Sequence, residues 1–315
     1  MALPVVMALL AVYIFWGGTY LAMKVAIETL PPFTMAGIRF LIAGAIVYAW
    51  QAGRGVEQPK PVHMKNAAIV GVTMLLGGNG LIVWAEQYVS SGIAAIIFAT
   101  VPCWVALLSW LWQGGARPNV MVFGGLILGI IGILLLVNNS VGELSSTASQ
   151  WIGYMVLVIS SLFWAVGALY SRVAKLPASP FMATALQMLF GGGACLLFGL
   201  MIGEWPQLNF ALVSNRSLFA LGYLIVFGSI IGFSAYIWLL KVTDPTLVTT
   251  NTYVNPIVAV FLGWVLAGER MTGNDALAAI IIVLAVIMIH KANHRKKVVI
   301  PAPEQVALTM GQEGK

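Results

Sequence analysis

The chain has 315 residues, 60% of them hydrophobic and 8% charged, with a formal net charge of +6. A soluble globular domain carries about 25% charged residues. This composition therefore excludes a soluble fold and makes lipid the natural solvent, which sets the class as integral membrane protein. The two cysteines, Cys103 and Cys195, lie in apolar runs and point to neither a disulfide framework nor a metal site.

A helix needs about 20 apolar residues to cross the hydrocarbon. In chain order, such runs are predicted at 3–23, 34–52, 64–85, 91–112, 119–138, 151–171, 180–202, 217–240, 246–267 and 275–291. Turn formers separate them: "LPPF" at 30–33, "GRGVEQPKP" at 53–61, "GGARPN" at 114–119, "LPASP" at 176–180, "GEWPQLN" at 203–209 and "GERMTGND" at 268–275. The fold class is thus all-α integral membrane, with ten transmembrane helices. The ten-residue alternation of a membrane β-barrel does not occur. The first run lacks a basic start, and Trp16, Tyr20 and Met23 replace the small residues of a cleavage site, so it reads as a retained helix. The tail, 292–315, is polar, carries "HRKK", Pro301 and Pro303, and is expected to be disordered.

Lys and Arg set the orientation. With the N-terminus in the cytoplasm, the inner loops and tail hold Arg54, Lys60, Lys65, Arg117, Arg172, Lys175, Lys241, Lys291, Arg295, Lys296, Lys297 and Lys315. The outer loops hold only Lys24, Arg216 and Arg270. This positive-inside bias places both termini in the cytoplasm of a cell (inner) membrane protein. The positive charge is then an orientation signal beside the lipid bilayer rather than a nucleic-acid surface.

The sequence repeats itself. A shift of 148 residues lays "FWGGTYLAMKVA" (15–26) on "FWAVGALYSRVA" (163–174), and Pro32-Phe33 on Pro180-Phe181. A shift of 154 pairs Trp84 with Trp238, Pro102 with Pro256 and Trp110 with Trp264. Two units follow, 1–140 and 141–291, with the tail after them. Each unit holds five helices. An odd unit enters the membrane from the opposite side the second time, so the repeats are inverted. Such a chain puts its substrate site near the bilayer midplane, between the halves.

The order "FWGGTYLAMK", "PPFTMAGIRF", "GGNGLIVWAEQYVSSGIAAIIFATVP", "YVNPIVAVFLGWVLAGERMT" resembles the EamA family of the drug/metabolite transporter superfamily over the whole chain short of the tail. The resemblance implies ten helices in two inverted five-helix repeats, cytoplasmic termini, and movement, often export, of small metabolites such as amino acids. One departure stands out. The second repeat ends "GERMTG", as the family pattern leads one to expect, whereas the first ends "GGARPN" without the acidic residue.

Polar groups inside a membrane are costly without a partner or water, so each one points to the protein interior. The densest group is "TLVTTNTYVNP" (246–256). Asn251 and Asn255 share a helix face, Tyr253 lies at a neighbouring angle, and Pro256 removes a backbone hydrogen bond. These residues line a cavity or bind helices together. Asn79 sits among glycines in "GGNG" (77–80), and its repeat-mate "IGFS" (231–234) keeps Gly232 and brings Ser234. Trp16 and Trp164 are a symmetric pair, either pocket walls or packing. Tyr20 and Thr100 complete the candidate substrate-binding set.

Arg39 is a charge inside the second span, where an Arg costs about 2.5–3.5 kcal/mol at a helix centre. It either snorkels to the headgroups or forms a gate pair with Glu86, with Lys24 at the same level. Gly125-x-x-x-Gly129, with Gly132, marks span five as a close helix contact, within the chain or in a homodimer. Asn215-Arg216-Ser217 matches a glycosylation sequon.

The leading function is a secondary transporter of small amphipathic metabolites. The alternatives are a non-transporting receptor or scaffold and a membrane-embedded enzyme. The three histidines, His63, His290 and His294, lie at membrane edges, and no H-E-x-x-H, G-x-S-x-G or P-loop pattern occurs, so no cofactor and no catalytic site is expected.

Overall fold

The computed structural model describes residues 3–112, 120–142, 148–242, 251–269 and 272–295. Among these, every regular element is helical. Numbered by span, they are α1 (Leu3–Ala26), α2 (Pro32–Gly53), α3 (Pro61–Ala85), α4 (Ser91–Trp112), α5 (Val120–Gly142), α6 (Ala148–Val173), α7 (Pro180–Met201), α8 (residues 215–242), α9 (Asn251–Ala267) and α10 (Gly273–Arg295). Seven of them, α1–α4 and α6–α8, contain stretches long and apolar enough to cross a membrane, while α5, α9 and α10 carry shorter apolar stretches. The protein is a multi-pass membrane protein, and among the described residues α3, α4 and α8 each carry an internal irregularity that periodicity did not announce.

Proline and glycine set the boundaries. Pro32 and Pro180 open α2 and α7 at the first helical turn, where a missing N–H costs nothing. Gly55, Gly203 and Gly268 adopt positive φ just after α2, α7 and α9. Pro102 coincides with an interruption at Ala99–Thr100 that splits α4 into Ser91–Phe98 and Val101–Trp112. The last helix runs on to Arg295, past the boundary at 291 expected from the sequence.

Side-chain contacts fix which ends meet. At one end, Lys24 Nζ donates to the carbonyls of Glu86 and Val89, and Arg216 pairs with Glu28 at 3.6 Å. Glu204, after α7, accepts hydrogen bonds from the Phe33 and Thr34 amides at the start of α2, at 3.0 and 2.7 Å. At the other end, Ser179 Oγ donates to Gln51 Oε1 at 2.8 Å, and Asn66 Nδ2 donates to the Lys175 carbonyl at 3.0 Å. Helices α1–α3 and α6–α8 therefore alternate in direction.

The central pair α2–α7 runs antiparallel. Phe33 meets Phe198 with ring centroids 4.7 Å apart at one end, and Trp50 meets Phe181 at 5.5 Å at the other. α3 and α6, α1 and α8, α4 and α9, and α5 and α10 pack together around this pair. The small-residue face of α5 is used within the chain: a Cβ on Gly132 would lie 2.5 Å from Ile282 of α10. Lipid-type faces recur at helical spacing, as with Ile257, Phe261, Trp264 and Val265 on α9, all more than half exposed.

Candidate functional site

Two helices depart from α geometry at matching places. In α3, Val72–Gly80 is π-helical; in α8, Leu224–Ile231 is. A π-turn widens the helix and pulls carbonyls out of the usual bonding register, and such turns concentrate at functional sites. Both segments recruit a donor from the first helix of the opposite repeat. Ser160 Oγ of α6 donates to the Gly78 carbonyl at 2.8 Å, and Trp16 Nε1 of α1 donates to the Gly228 carbonyl at 3.0 Å.

The indoles follow the same symmetry. Trp16 lies on Gly232, where an added Cβ would overlap the ring, and Trp164 lies on Gly78, where a Cβ would sit 2.9 Å from Cε3. Only glycine admits a ring this close. Trp16 also packs on Phe233 and Tyr236, with centroids at 5.3 and 5.1 Å, and Trp164 packs on Phe98 at 5.3 Å. Both tryptophans are half-buried helix-packing elements of the two π segments.

Arg39 of α2 reaches both segments. It is 4% exposed. Its Nε donates to Ser229 Oγ at 3.0 Å and its Nη1 to Asn79 Oδ1 at 3.5 Å. Its guanidinium lies 4.8 Å from the Phe40 ring centre. Gly228 leaves room for it, since a Cβ there would lie 3.1 Å from Nη2. Arg39 thus neither snorkels to the surface nor pairs with Glu86: no carboxylate lies within 4.0 Å of it among the described residues. A guanidinium held by neutral groups alone has no counter-charge beside it, and in a low-dielectric setting an incoming anion would feel it strongly.

Glu86 is fully buried, and neither carboxylate oxygen has a hydrogen-bond partner among the described residues. Lys24, expected beside it in a gate, instead caps the C-terminal carbonyls of α3. Tyr20 is half-buried on α1, one turn from Lys24. On α9, Asn251 is 7% exposed, and Asn255 Oδ1 is buried without a donor. Both asparagines therefore have buried polar atoms, and the backbone carbonyl of Asn255 lies close to Gly17 of α1. Thr100 is buried and its hydroxyl donates back to Ile97 O at 2.7 Å, so that donor is satisfied within its own helix. Ser234 is half-buried on α8. Thr249 and Thr250, the side chains of Thr252 and Tyr253, and residues 296–315 lie outside the described residues.

Sequence reasoning passed over Ser229, Gly228 and Ser160 within the spans and Glu204 in the turn after α7. For the first three the available signal was an intramembrane hydroxyl or a glycine, and for Glu204 a loop carboxylate, neither of which points to a partner on another helix.

The match to family models is decisive. The EamA-like transporter family fits residues 3–138 and again 151–290. The chain belongs to the EamA-like transporter family. Among relatives of this family member, the "Uncharacterized inner membrane transporter YedA" of Escherichia coli (strain K12) is 40% identical over 288 residues, covering 91% of this chain and 90% of the relative. "Protein PagO" of Salmonella typhimurium is 29% identical, covering 87% and 88%. The "Uncharacterized transporter YoaV" of Bacillus subtilis (strain 168) is 24% identical, covering 93% and 99%. A solved crystal structure is similar over 90% of this chain and 95% of that one, with a TM-score of 0.60 at 21% identity, a likeness in fold alone.

In this EamA member, Glu269 of "GERMTG" has a clear structural role. Its carboxylate accepts from the Ser91 amide and hydroxyl, both at 2.9 Å, and from the Gly92 amide at 3.3 Å. It therefore caps α4, a helix of the other repeat, complementing the exposed N–H groups and the positive end of the helix dipole.

Proposed function

We propose that this chain is a secondary transporter that exports small amphipathic metabolites, such as amino acids, across the inner membrane by alternating access. Ten helices in two inverted five-helix repeats, 1–140 and 141–291, form the moving halves, and both termini are cytoplasmic. The double match to the family model and the antiparallel α2–α7 pair support this architecture. The name of the Escherichia coli relative supports the inner membrane. No catalysis is part of this reading.

The observation that carries it is Arg39. A buried cation that bridges α2 to the π segments of α3 and α8, with only neutral partners, is a receptor for a substrate carboxylate. A guanidinium takes a carboxylate through paired, charge-assisted hydrogen bonds. The substrate's apolar part would then meet the aromatic surface of Phe15, Phe227 and Tyr223, whose rings already stack on one another at 4.9 and 5.3 Å. Rocking of the halves about α2 and α7 would expose Arg39 to each side in turn.

The test is counterflow of a radiolabelled amino-acid mixture into proteoliposomes preloaded with unlabelled solute. Accumulation by the wild type, lost in Arg39→Ala, is the expected result. A wild type that moves no amino acid and no other small carboxylate overturns the reading.

A further inference from the structure

Glu86 is the most exceptional ionisable group among the described residues. Its side chain is 0% exposed, and both Oε atoms lack any hydrogen-bond partner. The other buried carboxylates are satisfied: Glu204 caps α2 and Asp275 accepts from Thr272 at 3.0 and 2.8 Å. An ionised carboxylate without donors in a low-dielectric interior costs several kcal/mol, which protonation removes.

The groups that face Glu86 come from three elements. Lys24 of α1 reaches the Glu86 backbone carbonyl, and the other ionisable groups whose charge bears on Glu86 are Tyr20 of α1, Arg39 of α2 and Glu269 after α9. None forms a hydrogen bond or an ion pair with its carboxylate. Lys24 donates to backbone carbonyls, Arg39 to Ser229 and Asn79, and Glu269 is occupied by the start of α4. Glu86 stands at the end of α3, seven residues after Asn79, the α3 side chain that Arg39 bonds, and the burial of both Glu86 and Arg39 leaves their mutual field weakly screened.

We infer that Glu86 is a proton-binding site whose occupancy controls how strongly Arg39 attracts a carboxylate, so that one proton and one carboxylate substrate are bound together. The inference rests on the transport reading for its second half only. With Glu86 ionised, its negative charge offsets part of the Arg39 field and repels an incoming carboxylate. With Glu86 protonated, the field of Arg39 is uncompensated and the substrate anion completes it. Linkage makes the effect reciprocal: the bound carboxylate favours the proton on Glu86. The proton is taken from water on one side and returned to water on the other, with no bond broken beyond O–H. Such a carrier runs outward whenever the outward substrate gradient exceeds the opposing proton gradient, so it accommodates export of an accumulated carboxylate.

Two measurements test this separately. The first needs no substrate: pH-difference infrared spectra of the purified full chain in lipid nanodiscs. A protonated-carboxyl C=O band is expected in the wild type, shifted in frequency in Glu86→Asp and missing in Glu86→Gln. A band identical in all three proteins, or absent from the wild type, overturns the proton site. The Asp variant keeps the test decisive if the Gln variant does not assemble. The second is counterflow of the amino-acid mixture across a pH series. The half-saturation concentration of the wild type is expected to fall about tenfold on acidification, within the range of measured site–site couplings. In Glu86→Gln it should stay at the acid value at every pH. A pH dependence retained in Glu86→Gln overturns the coupling. An infrared band assigned to Glu86 with no flux of any carboxylate sinks the transport reading while leaving the proton site standing; flux without the band does the reverse.

Discussion

The π segments of α3 and α8 have one backbone plan and two chemistries. Each lies opposite the first helix of the other repeat, each accepts a side-chain donor at a glycine carbonyl, and each receives a tryptophan on a glycine. Yet the α8 segment holds Ser229 against Arg39 at 3.0 Å, while α3 offers Asn79 at 3.5 Å. The repeat-mate of Arg39 on α7 is Gln187. The two segments match in backbone and packing, while charge is concentrated on one of them. Rigid packing can stay symmetric because it depends on shape, whereas a binding site for an asymmetric solute requires asymmetric polarity.

The comparison breaks most sharply at Arg39. Arg39→Ala is expected to reduce counterflow by tenfold or more, the scale of losing hydrogen bonds to a charged group, whereas Gln187→Ala should change it far less. Equal losses would show that polarity is as symmetric as packing. The measurement is initial counterflow rate at matched protein incorporation.

Next in size are the two glycines under the indoles. Ala at Gly232 must displace Trp16, and overpacking of this kind costs about 1–3 kcal/mol. Ala at Gly78 meets Trp164 at 2.9 Å and part of its strain is offset by the better helix propensity of Ala, about 1 kcal/mol. Thermal unfolding in detergent should therefore rank Gly232→Ala below Gly78→Ala. The reverse ranking would mean that the α8 segment yields more easily than its contacts indicate.

Glu204→Ala removes three hydrogen bonds to the start of α2 and is expected to cost about 1–2 kcal/mol, as loss of a helix cap does. Glu204→Gln should recover part of it. The smallest effect is expected for Asn79→Ala, whose bond to Arg39 is long: a few-fold rise in half-saturation concentration, on the order of 0.5–1 kcal/mol, with unchanged unfolding temperature. A loss as large as that of Arg39→Ala would place Asn79 against the substrate itself.

Much of this was legible in the sequence, for identifiable reasons. The pairing of "GGNG" with "IGFS" and of Trp16 with Trp164 named the residues that the structure joins as two indole–glycine contacts, but not the contacts themselves. Asn251 and Asn255 were expected off the lipid, and their burial agrees with the cost of polar groups in hydrocarbon. The proposed Arg39–Glu86 gate was not found, since depth in the membrane says nothing about azimuth. The π geometry was missed because periodicity methods assume one helical pitch.

Sequence alone determined that this chain lives in lipid and approximately where its helices fall, and its spacing pointed to two units. Those properties follow from local composition and from spacing along the chain. Only the tertiary structure decided which polar groups meet: Arg39 with Ser229 across 190 residues, Glu269 with Ser91 across 178, Glu204 with Thr34 across 170, and the Glu86 carboxylate with no hydrogen-bond partner among the described residues. A hydrogen bond is made or lost within a fraction of an ångström, and that distance is set by how ten packed helices turn about their axes, which no single stretch of sequence encodes.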